Sequence, residues 1–316
     1  MHAVNAAEAP DDSFLLRDYP LDRQRQFTEY LKDVVALDRR YISTSETEHP
    51  FTTHFSKYDV RYSTHYYAQH PEYSMFTVVH ESGHAQYELN TGDELHRTRL
   101  ARGTSTAIHE SQSRFFENMI GRTREFCTLV FPKLVELFPE QLRGVDAEMF
   151  YRAVNKSVPS LVRTKADELT YSLHVMIRYE IEKRLFDGTL KAHDVPAVWA
   201  EMYREYLGIE VPDDKRGCLQ DMHWASGMFG YFPGYSLGSA YAAQMYANML
   251  RYLDVPAIIR TGSLRPVVDW LTERIYKYGA LLTPAEVLQS ACEAQFDPMY
   301  YVNYLKDKYS DLYGLK

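Results

Sequence analysis

Helix start and stop signals recur from about residue 73 to the carboxyl end, and they constrain the fold more than any other feature of the sequence. A capping residue stands beside a proline at three places, and a glycine stands at two places where a helix is expected to end. These signals are Asp194 before Val195-Pro196, Thr283-Pro284-Ala285-Glu286, Asp297-Pro298, Gly188 and Gly208. Strands and helices do not alternate in a way that would build a parallel sheet. The sequence therefore predicts a mainly α protein.

The segment before residue 73 has a different character. Residues 21–40 carry an apolar stripe at helical spacing, which predicts a helix. Residues 49–66 alternate and are rich in β-branched and aromatic side chains, which predicts a small antiparallel hairpin. Residues 1–17 are expected to be a loose tail. Because no repeat or linker interrupts the rest, residues 1–316 are expected to form a single domain.

Composition excludes several classes of protein. The chain has 35 basic and 43 acidic residues and a net charge of −8, which argues against a nucleic-acid partner. The sequence has no run of 18 apolar residues that would cross a membrane, and no secretory signal is visible. Three scattered cysteines are typical of reduced thiols, so a cytoplasmic location is predicted. The 26 tyrosines suit an aromatic-lined cleft or aromatic core packing equally well.

His80-Glu81-Ser82-Gly83-His84 places two imidazoles on one face of a predicted helix, residues 73–90. Four helical positions turn through slightly more than a full circle, so the two histidines differ in direction by about 40°. Such a pair suits Zn²⁺, and the glutamate beside it is placed to hold a water and accept its proton. His80 and His84 are therefore predicted ligands, and Glu81 is the predicted general base. Ser82 and Gly83 weaken the helix, which makes sense if something packs closely on that turn.

Zinc needs a third protein ligand, and a second predicted helix, residues 104–120, offers one. It contains His109-Glu110-Ser111-Gln112, in which Glu110 follows His84 by 26 residues. This interval leaves room for a helix end, a loop and a second helix that crosses the first at the metal. Glu110 is the predicted third ligand, and the fourth position is left to water. A surface acid at position 110 and a structural histidine at position 109 are the alternatives.

Further motifs follow one another along the chain in a fixed order. They are His49-Pro50-Phe51, Asp59-Val60-Arg61-Tyr62-Ser63, the two histidine-glutamate motifs above, Val162-Arg163-Thr164-Lys165-Ala166-Asp167, Gly217-Cys218-Leu219-Gln220-Asp221-Met222-His223-Trp224, Gly230-Tyr231-Phe232-Pro233 and Gly238. With these motifs, residues 18–316 resemble the thermostable carboxypeptidase family, also called carboxypeptidase Taq. The one departure noted within the motifs is Ser63, where the family has threonine.

The resemblance implies a mainly α, neurolysin-like zincin fold with a small antiparallel β element beside an active-site cleft. It implies a metallopeptidase catalytic domain, usually homodimeric, that removes single residues of broad specificity from peptides with a free C-terminal carboxylate. Carried over residue by residue, the ligands are His80, His84 and Glu110, and the base is Glu81. One Zn²⁺ per chain is expected, with Co²⁺ as a substitute.

An exopeptidase must recognise a carboxylate, and arginine pairs with carboxylates through two parallel hydrogen bonds. Arg163 is the first candidate and Arg61 the second. Arg163 would begin a polar face on one helix, continued by Asp167, Tyr171, His174 and Arg178. A solvated face of ion pairs four residues apart is the alternative.

Donors to an oxyanion are also needed, and His223 and Tyr231 are predicted for this task, with Asp221 orienting His223. Tyr235 is a further candidate for contact with substrate. His49 and Asp59 are expected to shape the wall of the cleft formed by the hairpin, whose edge could add a substrate strand. The alternative is that the aromatic residues of this region belong to the core and His223 is structural.

Two other functions remain open: a zinc oligopeptidase or endopeptidase with an open cleft, and a catalytically silent truncated subunit. The His49 motif begins earlier in this chain than in typical family members, which carry a large helical segment before it. The sequence therefore predicts a short member that lacks most of that segment. Either the cleft is more open, or a partner chain replaces the segment.

Overall fold

The computed structural model describes residues 1–315 and is mainly helical, with 58 % of residues in helices. This confirms the predicted fold class. The helices are α1 (His2–Ala6), α2 (Leu21–Val34), α3 (Glu72–Leu89), α4 (Thr106–Arg114), α5 (Arg124–Leu137), α6 (Ala147–Val154), α7 (Glu168–Phe186), α8 (Val195–Leu207), α9 (Pro233–Met249), α10 (Val255–Arg260), α11 (Arg265–Arg274), α12 (Pro284–Cys292) and α13 (Met299–Tyr313). Within residues 1–315, no helix combines the length and apolar character needed to cross a membrane.

Most of the predicted helix boundaries have the expected local chemistry. Thr283 and Glu286 form a reciprocal capping box at the start of α12, with the Thr283 amide donating to the Glu286 carboxylate at 2.8 Å. Gly208 ends α8 in the left-handed region at φ 72°. Asp194 precedes α8, but its side chain makes no capping hydrogen bond.

The sheet has one strand more than the predicted hairpin. Its strands are β1 (Ile42–Glu46), β2 (Thr52–Ser56) and β3 (Asp59–Thr64), in the order β1-β3-β2. β2 and β3 are antiparallel, as the alternation predicted, and β1 joins β3 in parallel. β1 was not predicted because four of its five residues are exposed, so its sequence lacks the alternation that marks a half-buried strand.

The chain divides into two compact units. The larger unit comprises Pro10–Val154 and Gly238–Tyr304, and the smaller unit comprises Met1–Ala9, Asn155–Leu237 and the chain from Leu305 onward. In the smaller unit, α7 packs on α8 around Trp199 and Tyr203, whose rings stack at 5.2 Å. The prediction of one catalytic domain over residues 1–316 stays a prediction.

α3 is the central helix of the larger unit. Thirteen of its eighteen residues are buried, and it packs against α2, α4 and the sheet. A helix buried on most of its faces has no solvent-facing polar stripe, so its polar residues must find partners inside the protein. The histidine-glutamate motif lies in this helix, and its surroundings are therefore fixed on several sides.

The expected loose tail is more ordered than the sequence predicted. Phe14 and Leu15 are buried, and the His70 amide donates to the Leu15 carbonyl at 2.7 Å. Val4 of α1 is also buried. The apolar residues Phe14 and Leu15 were the available signal, because burial of apolar side chains offsets the entropy lost by fixing the backbone.

Candidate metal centre

α3 and α4 bring the three predicted ligands to one point. Glu110 Oε2 lies 3.9 Å from His80 Nε2 and 3.6 Å from His84 Nε2, and one donor atom from each residue lies within 4.8 Å of the others. Two imidazole nitrogens and one carboxylate oxygen form the donor set of many catalytic zinc sites, which leave a fourth position open. The residues present therefore fit a zinc ion.

Two glycines permit this convergence. A Cβ at Gly83 of α3 would lie 2.4 Å from the Gln112 carbonyl oxygen and 2.7 Å from Ser113 Cα, both in α4. A Cβ at Gly238 of α9 would lie 2.7 Å from Glu110 Cγ. The close packing expected from Gly83 is thus contact with the backbone of the helix that carries Glu110.

His80 is oriented by a carboxylate on its far side. Its Nδ1 lies 2.9 Å from Glu117 Oε2, and Glu117 also contacts Arg114 at 3.2 Å and Arg122 at 3.3 Å. Burial opposes ionisation, but the charges of Arg114, His80 and Arg122 together hold the pKa of Glu117 well below its usual range. An ionised Glu117 accepts a hydrogen bond from the protonated Nδ1 of His80, which leaves the Nε2 lone pair free for a metal.

Glu117 lies on a π-helical segment, Phe115–Gly121, that continues α4. The sequence predicted one helix over residues 104–120, so this change of helix type is a difference from the expectation. Short π segments are frequent at functional sites, because the extra residue in the turn changes where side chains point.

His84 is oriented through a second histidine. Its Nδ1 lies 2.7 Å from His109 Nδ1, and His109 Nε2 lies 2.6 Å from Glu88 Oε1. If His84 binds metal through Nε2, its Nδ1 carries the proton and donates to His109, which in turn donates to Glu88. Burial, and then the neighbouring imidazoles, hold the pKa of His84 well below 6.5, in keeping with a neutral ligand.

Glu81 is placed beside the ligands without joining them. Its side chain is buried, and its Oε2 accepts a hydrogen bond from Thr52 Oγ1 of β2 at 2.5 Å. Burial raises the pKa of Glu81 above the usual carboxylate value. A raised pKa improves a carboxylate as a proton acceptor, which suits the predicted general base.

Glu110 has one oxygen engaged and one turned toward the histidines. Its Oε1 accepts from Arg114 Nε at 2.8 Å, one helical turn away. The sequence predicted the ligands and Glu81, and it offered Glu117, seven residues after Glu110 on the same predicted helix, either as a residue that orients a ligand histidine or as a surface acid. It missed Thr52, Glu88, Arg114 and the contact of His109 with His84. Of these, only Arg114 had a signal in the sequence, because it follows Glu110 by four residues, the spacing of ion pairs on one face of a helix.

Within residues 1–315, the predicted substrate residues of the sheet region, Asp59, Arg61 and His49, do not contact the three ligands. Asp59 and Arg61 pair with each other, with Arg61 Nε 2.7 Å from Asp59 Oδ1. The Arg61 guanidinium also lies over the Phe55 ring at 4.8 Å. His49 is exposed, and its carbonyl accepts from Thr47. Their roles in substrate binding stay predictions.

Arg163 belongs to a buried network in the smaller unit. Its Nη2 lies 2.7 Å from Asp221 Oδ1, and its Nη1 donates to the Tyr171 hydroxyl at 3.1 Å. Arg178 Nε donates to the other Asp221 oxygen at 2.7 Å. A substrate carboxylate bound by Arg163 would therefore share the guanidinium with Asp221, and this role stays a prediction.

The predicted polar helical face that begins at Arg163 is wrong. Arg163 lies in a 3-10 turn, Arg163–Lys165, and α7 begins only at Glu168. Asp167 stops the helix from extending further back, because its side chain accepts the Thr170 amide at 3.0 Å and caps α7. Tyr171, His174 and Arg178 do lie in α7, and all three are buried.

His223 lies among aromatic rings in the same unit. Its Nε2 is 3.1 Å from the Tyr235 hydroxyl, and its ring centroid is 5.4 Å from that of Tyr231. Asp221 Oδ1 lies 3.9 Å from His223 Nδ1, which is too far for a hydrogen bond. The expected orientation of His223 by Asp221 is therefore wrong, because the two arginines occupy the Asp221 carboxylate. The catalytic roles of His223 and Tyr231 stay predictions.

Comparison with known proteins places this geometry in a family. The sequence model of the carboxypeptidase Taq (M32) metallopeptidase family matches residues 1–309. The chain belongs to the M32 family. This M32 chain is 41 % identical over 307 residues to carboxypeptidase 1 of Bacillus subtilis. It is 39 % identical over 313 residues to thermostable carboxypeptidase 1 of Thermus thermophilus.

Solved structures agree with the sequence comparison. The M32 carboxypeptidase of Deinococcus radiodurans R1 superposes with a TM-score of 0.97 at 39 % identity, covering 99 % of this chain and 63 % of that one. The two sequence matches include 97 % and 98 % of the M32 chain described here. They span 61 % of the length of each relative.

Replacing Glu117 by glutamine is expected to weaken zinc binding by the M32 chain about 10- to 100-fold. The amide removes the charge that holds the His80 Nδ1 proton and leaves Arg114 and Arg122 without their shared carboxylate. Competition with a chromophoric chelator measures the Kd. The matched control is Glu140→Gln, which removes an exposed glutamate paired with Arg143. A Kd equal to that of the native chain would contradict the orienting role.

Proposed function

We propose that this chain is the catalytic part of a zinc-dependent carboxypeptidase that removes C-terminal residues of broad specificity from peptides. The observation that carries the proposal is the convergence of His80, His84 and Glu110 donor atoms within 4.8 Å, with Glu81 next to His80 on α3. Membership of the M32 family supports it, and the two relatives named above are called carboxypeptidases. The activity is a proposal because the chain spans 61 % of their length.

His80, His84 and Glu110 would hold the metal. When bound, Zn²⁺ supplies Lewis acidity, which lowers the pKa of a water and polarises a carbonyl, and Co²⁺ is expected to substitute. Glu81 takes a proton from the attacking water and passes it to the amine that leaves the last peptide bond. Thr52 holds one Glu81 oxygen, so the other oxygen remains for the proton. His223 and Tyr231 are proposed donors to the oxyanion, and Arg163, Arg61, His49, Asp59 and Tyr235 are proposed to contact the substrate.

Digestion of an unmodified peptide by the zinc-loaded chain is expected to give a ladder of products that lose one residue at a time from the carboxyl end. Amidation of that end is expected to slow cleavage at least about 100-fold, because a guanidinium loses its charge-assisted partner. Mass spectrometry of timed samples measures both effects. The matched control is acetylation of the amino end, which should leave the rate unchanged.

The two alternative functions give different outcomes in the same experiment. Internal fragments that form at equal rates from free and amidated peptides would indicate an oligopeptidase or endopeptidase. A chain that binds no near-stoichiometric metal and cleaves neither peptide after addition of Zn²⁺ or Co²⁺ would indicate a silent subunit. Either result would contradict the carboxypeptidase proposal.

The partners and the location are proposals as well. A homodimer is proposed from the family resemblance. A cytoplasmic location is proposed from the composition and from the three scattered cysteines Cys127, Cys218 and Cys292.

A further inference from the structure

A cavity of about 520 Å³ lies in the larger unit, outside the candidate metal centre. It lies between the end of β2 and the loop that follows α3, residues 96–102. This is the volume range of small-molecule sites. Its polar lining is mainly basic and comprises His54, Lys57, His96, Arg97, Arg99 and Arg102, together with the neutral Ser56 and Thr98. We call this cavity the basic pocket.

The basic pocket holds positive charge that the protein itself does not neutralise. No Asp or Glu lines it. Within residues 1–315, the guanidinium groups of Arg97, Arg99 and Arg102 form no ion pair, whereas Lys57 is paired with Asp93 at 2.8 Å. In a chain with a net charge of −8, three unneutralised arginines around one cavity are not expected from composition. Their concentration indicates a site for an anion.

The backbone that carries these arginines is held in place. The Leu100 carbonyl accepts from the Ala280 amide at 2.9 Å, and Leu95 at the start of the loop is buried. A Cβ at Gly279 would lie 2.3 Å from the Leu100 oxygen, so glycine allows the close approach. A fixed backbone lowers the entropy lost when the side chains close on a ligand.

The basic pocket adjoins the residues that orient the candidate ligands. His54 Nε2 lies 3.3 Å from Glu88 Oε2, and the Gly103 amide, next to Arg102, donates to Glu88 Oε1 at 3.3 Å. Glu88 is the carboxylate at the end of the chain of contacts through His109 to His84. Glu88 therefore links a residue that lines the pocket, His54, to the histidines of the metal centre.

β2 connects the general base to the basic pocket. Thr52 of this strand contacts Glu81, and Phe55, three residues later, lines the pocket. Three residues of a strand span about 10 Å. β2 stands at the edge of the sheet, so an extended peptide can pair with it. A peptide with its last bond beside Glu81 would bring residues three to five from its carboxyl end to the pocket.

We propose that the basic pocket binds carboxylate side chains of the peptide substrate, three to five residues from its carboxyl end, and so gives the enzyme a preference for acidic peptides. This inference rests on the proposed function. Arginine suits the task because its guanidinium pairs with carboxylate through two hydrogen bonds, and because its charge does not vary with pH in the physiological range.

Two seven-residue alanine peptides test the proposal, one with Glu and one with Gln at positions three to five from the carboxyl end. Binding is measured by calorimetry on zinc-loaded Glu81→Gln protein, which is expected to hydrolyse them roughly 10³-fold more slowly, and kcat and KM are measured on the native chain. We expect the Glu peptide to bind about 10-fold more tightly, with the difference in KM rather than kcat. Raising the salt concentration is expected to reduce the difference.

Arg99→Gln with Arg102→Gln is expected to bring the two affinities within about 2-fold of each other. The matched control is Arg143→Gln, an exposed arginine that does not line the pocket, which should keep the full preference. Thermal unfolding checks that both variants fold. Loss of the preference in the control as well would attribute it to general charge and overturn the proposal.

The remaining outcomes separate the pocket from the proposed function. Equal affinities for the two peptides on a chain that hydrolyses both would overturn the pocket and leave the carboxypeptidase proposal standing. A retained preference on a chain that hydrolyses neither would support the pocket and contradict the carboxypeptidase. Binding of inorganic phosphate to the arginines, without discrimination between the peptides, would also overturn the substrate role.

Discussion

Replacing Glu81 by glutamine lowers kcat by roughly 10³-fold and leaves one metal ion per chain, which is the largest effect on activity that we expect. The amide has the shape of the carboxylate and can still accept the hydrogen bond from Thr52, but it cannot take a proton from water. The donor set of His80, His84 and Glu110 remains complete. Initial rates on an unmodified peptide and metal content by mass spectrometry are the two measurements.

The matched control for Glu81 is Glu136→Gln, the same change at an exposed residue of α5. It should keep both activity and metal. Activity in the Glu81 variant within 10-fold of the native rate would remove Glu81 from the proton transfer. Loss of metal along with activity would assign it a different role, in assembly of the centre.

Replacing Gly83 by alanine is expected to give the largest loss of stability, about 3 kcal/mol in the free energy of unfolding. The added methyl would lie 2.4 Å from the Gln112 oxygen and 2.7 Å from Ser113 Cα. Both are backbone atoms, which cannot rotate away, so α3 and α4 must separate. Since the histidines lie on one helix and Glu110 on the other, we also expect zinc affinity to fall at least about 10-fold.

Denaturant titration and chelator competition measure these two effects. The matched control is Gly92→Ala, where the atoms nearest to the added methyl belong to the carboxylate end of the exposed Glu94 side chain, which can move into solvent. This variant should differ from the native chain by less than about 1 kcal/mol. Equal stability of the Gly83 and Gly92 variants would show that the helices tolerate separation.

Much of the centre could be predicted because its information is local. The four-residue spacing of His80 and His84 is a property of a helix, and the boundaries of α3 follow from its own sequence. Glu110 could be predicted as the third ligand because the number of residues between it and His84 leaves room for a second helix. The fold class was predicted for the same reason, since caps such as Thr283 act within one turn.

The parts that could not be predicted depend on contacts distant in sequence. The partner of His109 is Glu88, 21 residues earlier on a different helix, and no periodicity reports that pairing. β1 is held by β3 rather than by its own pattern. The helix wrongly predicted to begin at Arg163 has another cause. The helical spacing of apolar and polar residues extends back through Ala166, but Asp167 caps α7 and so sets its start.

Several acidic side chains lie close together in the larger unit. Because of them, the metal ion is expected to affect the stability of the folded protein as well as its chemistry. Glu81, Glu88 and Glu110 are buried close to the histidines, and Arg114, which pairs with Glu110, offsets only part of their charge. An ion that binds the folded chain alone adds to its stability by mass action. A chain that has lost its ion therefore opens more often and becomes a better target for cellular proteases, so turnover in the cell would favour the loaded form.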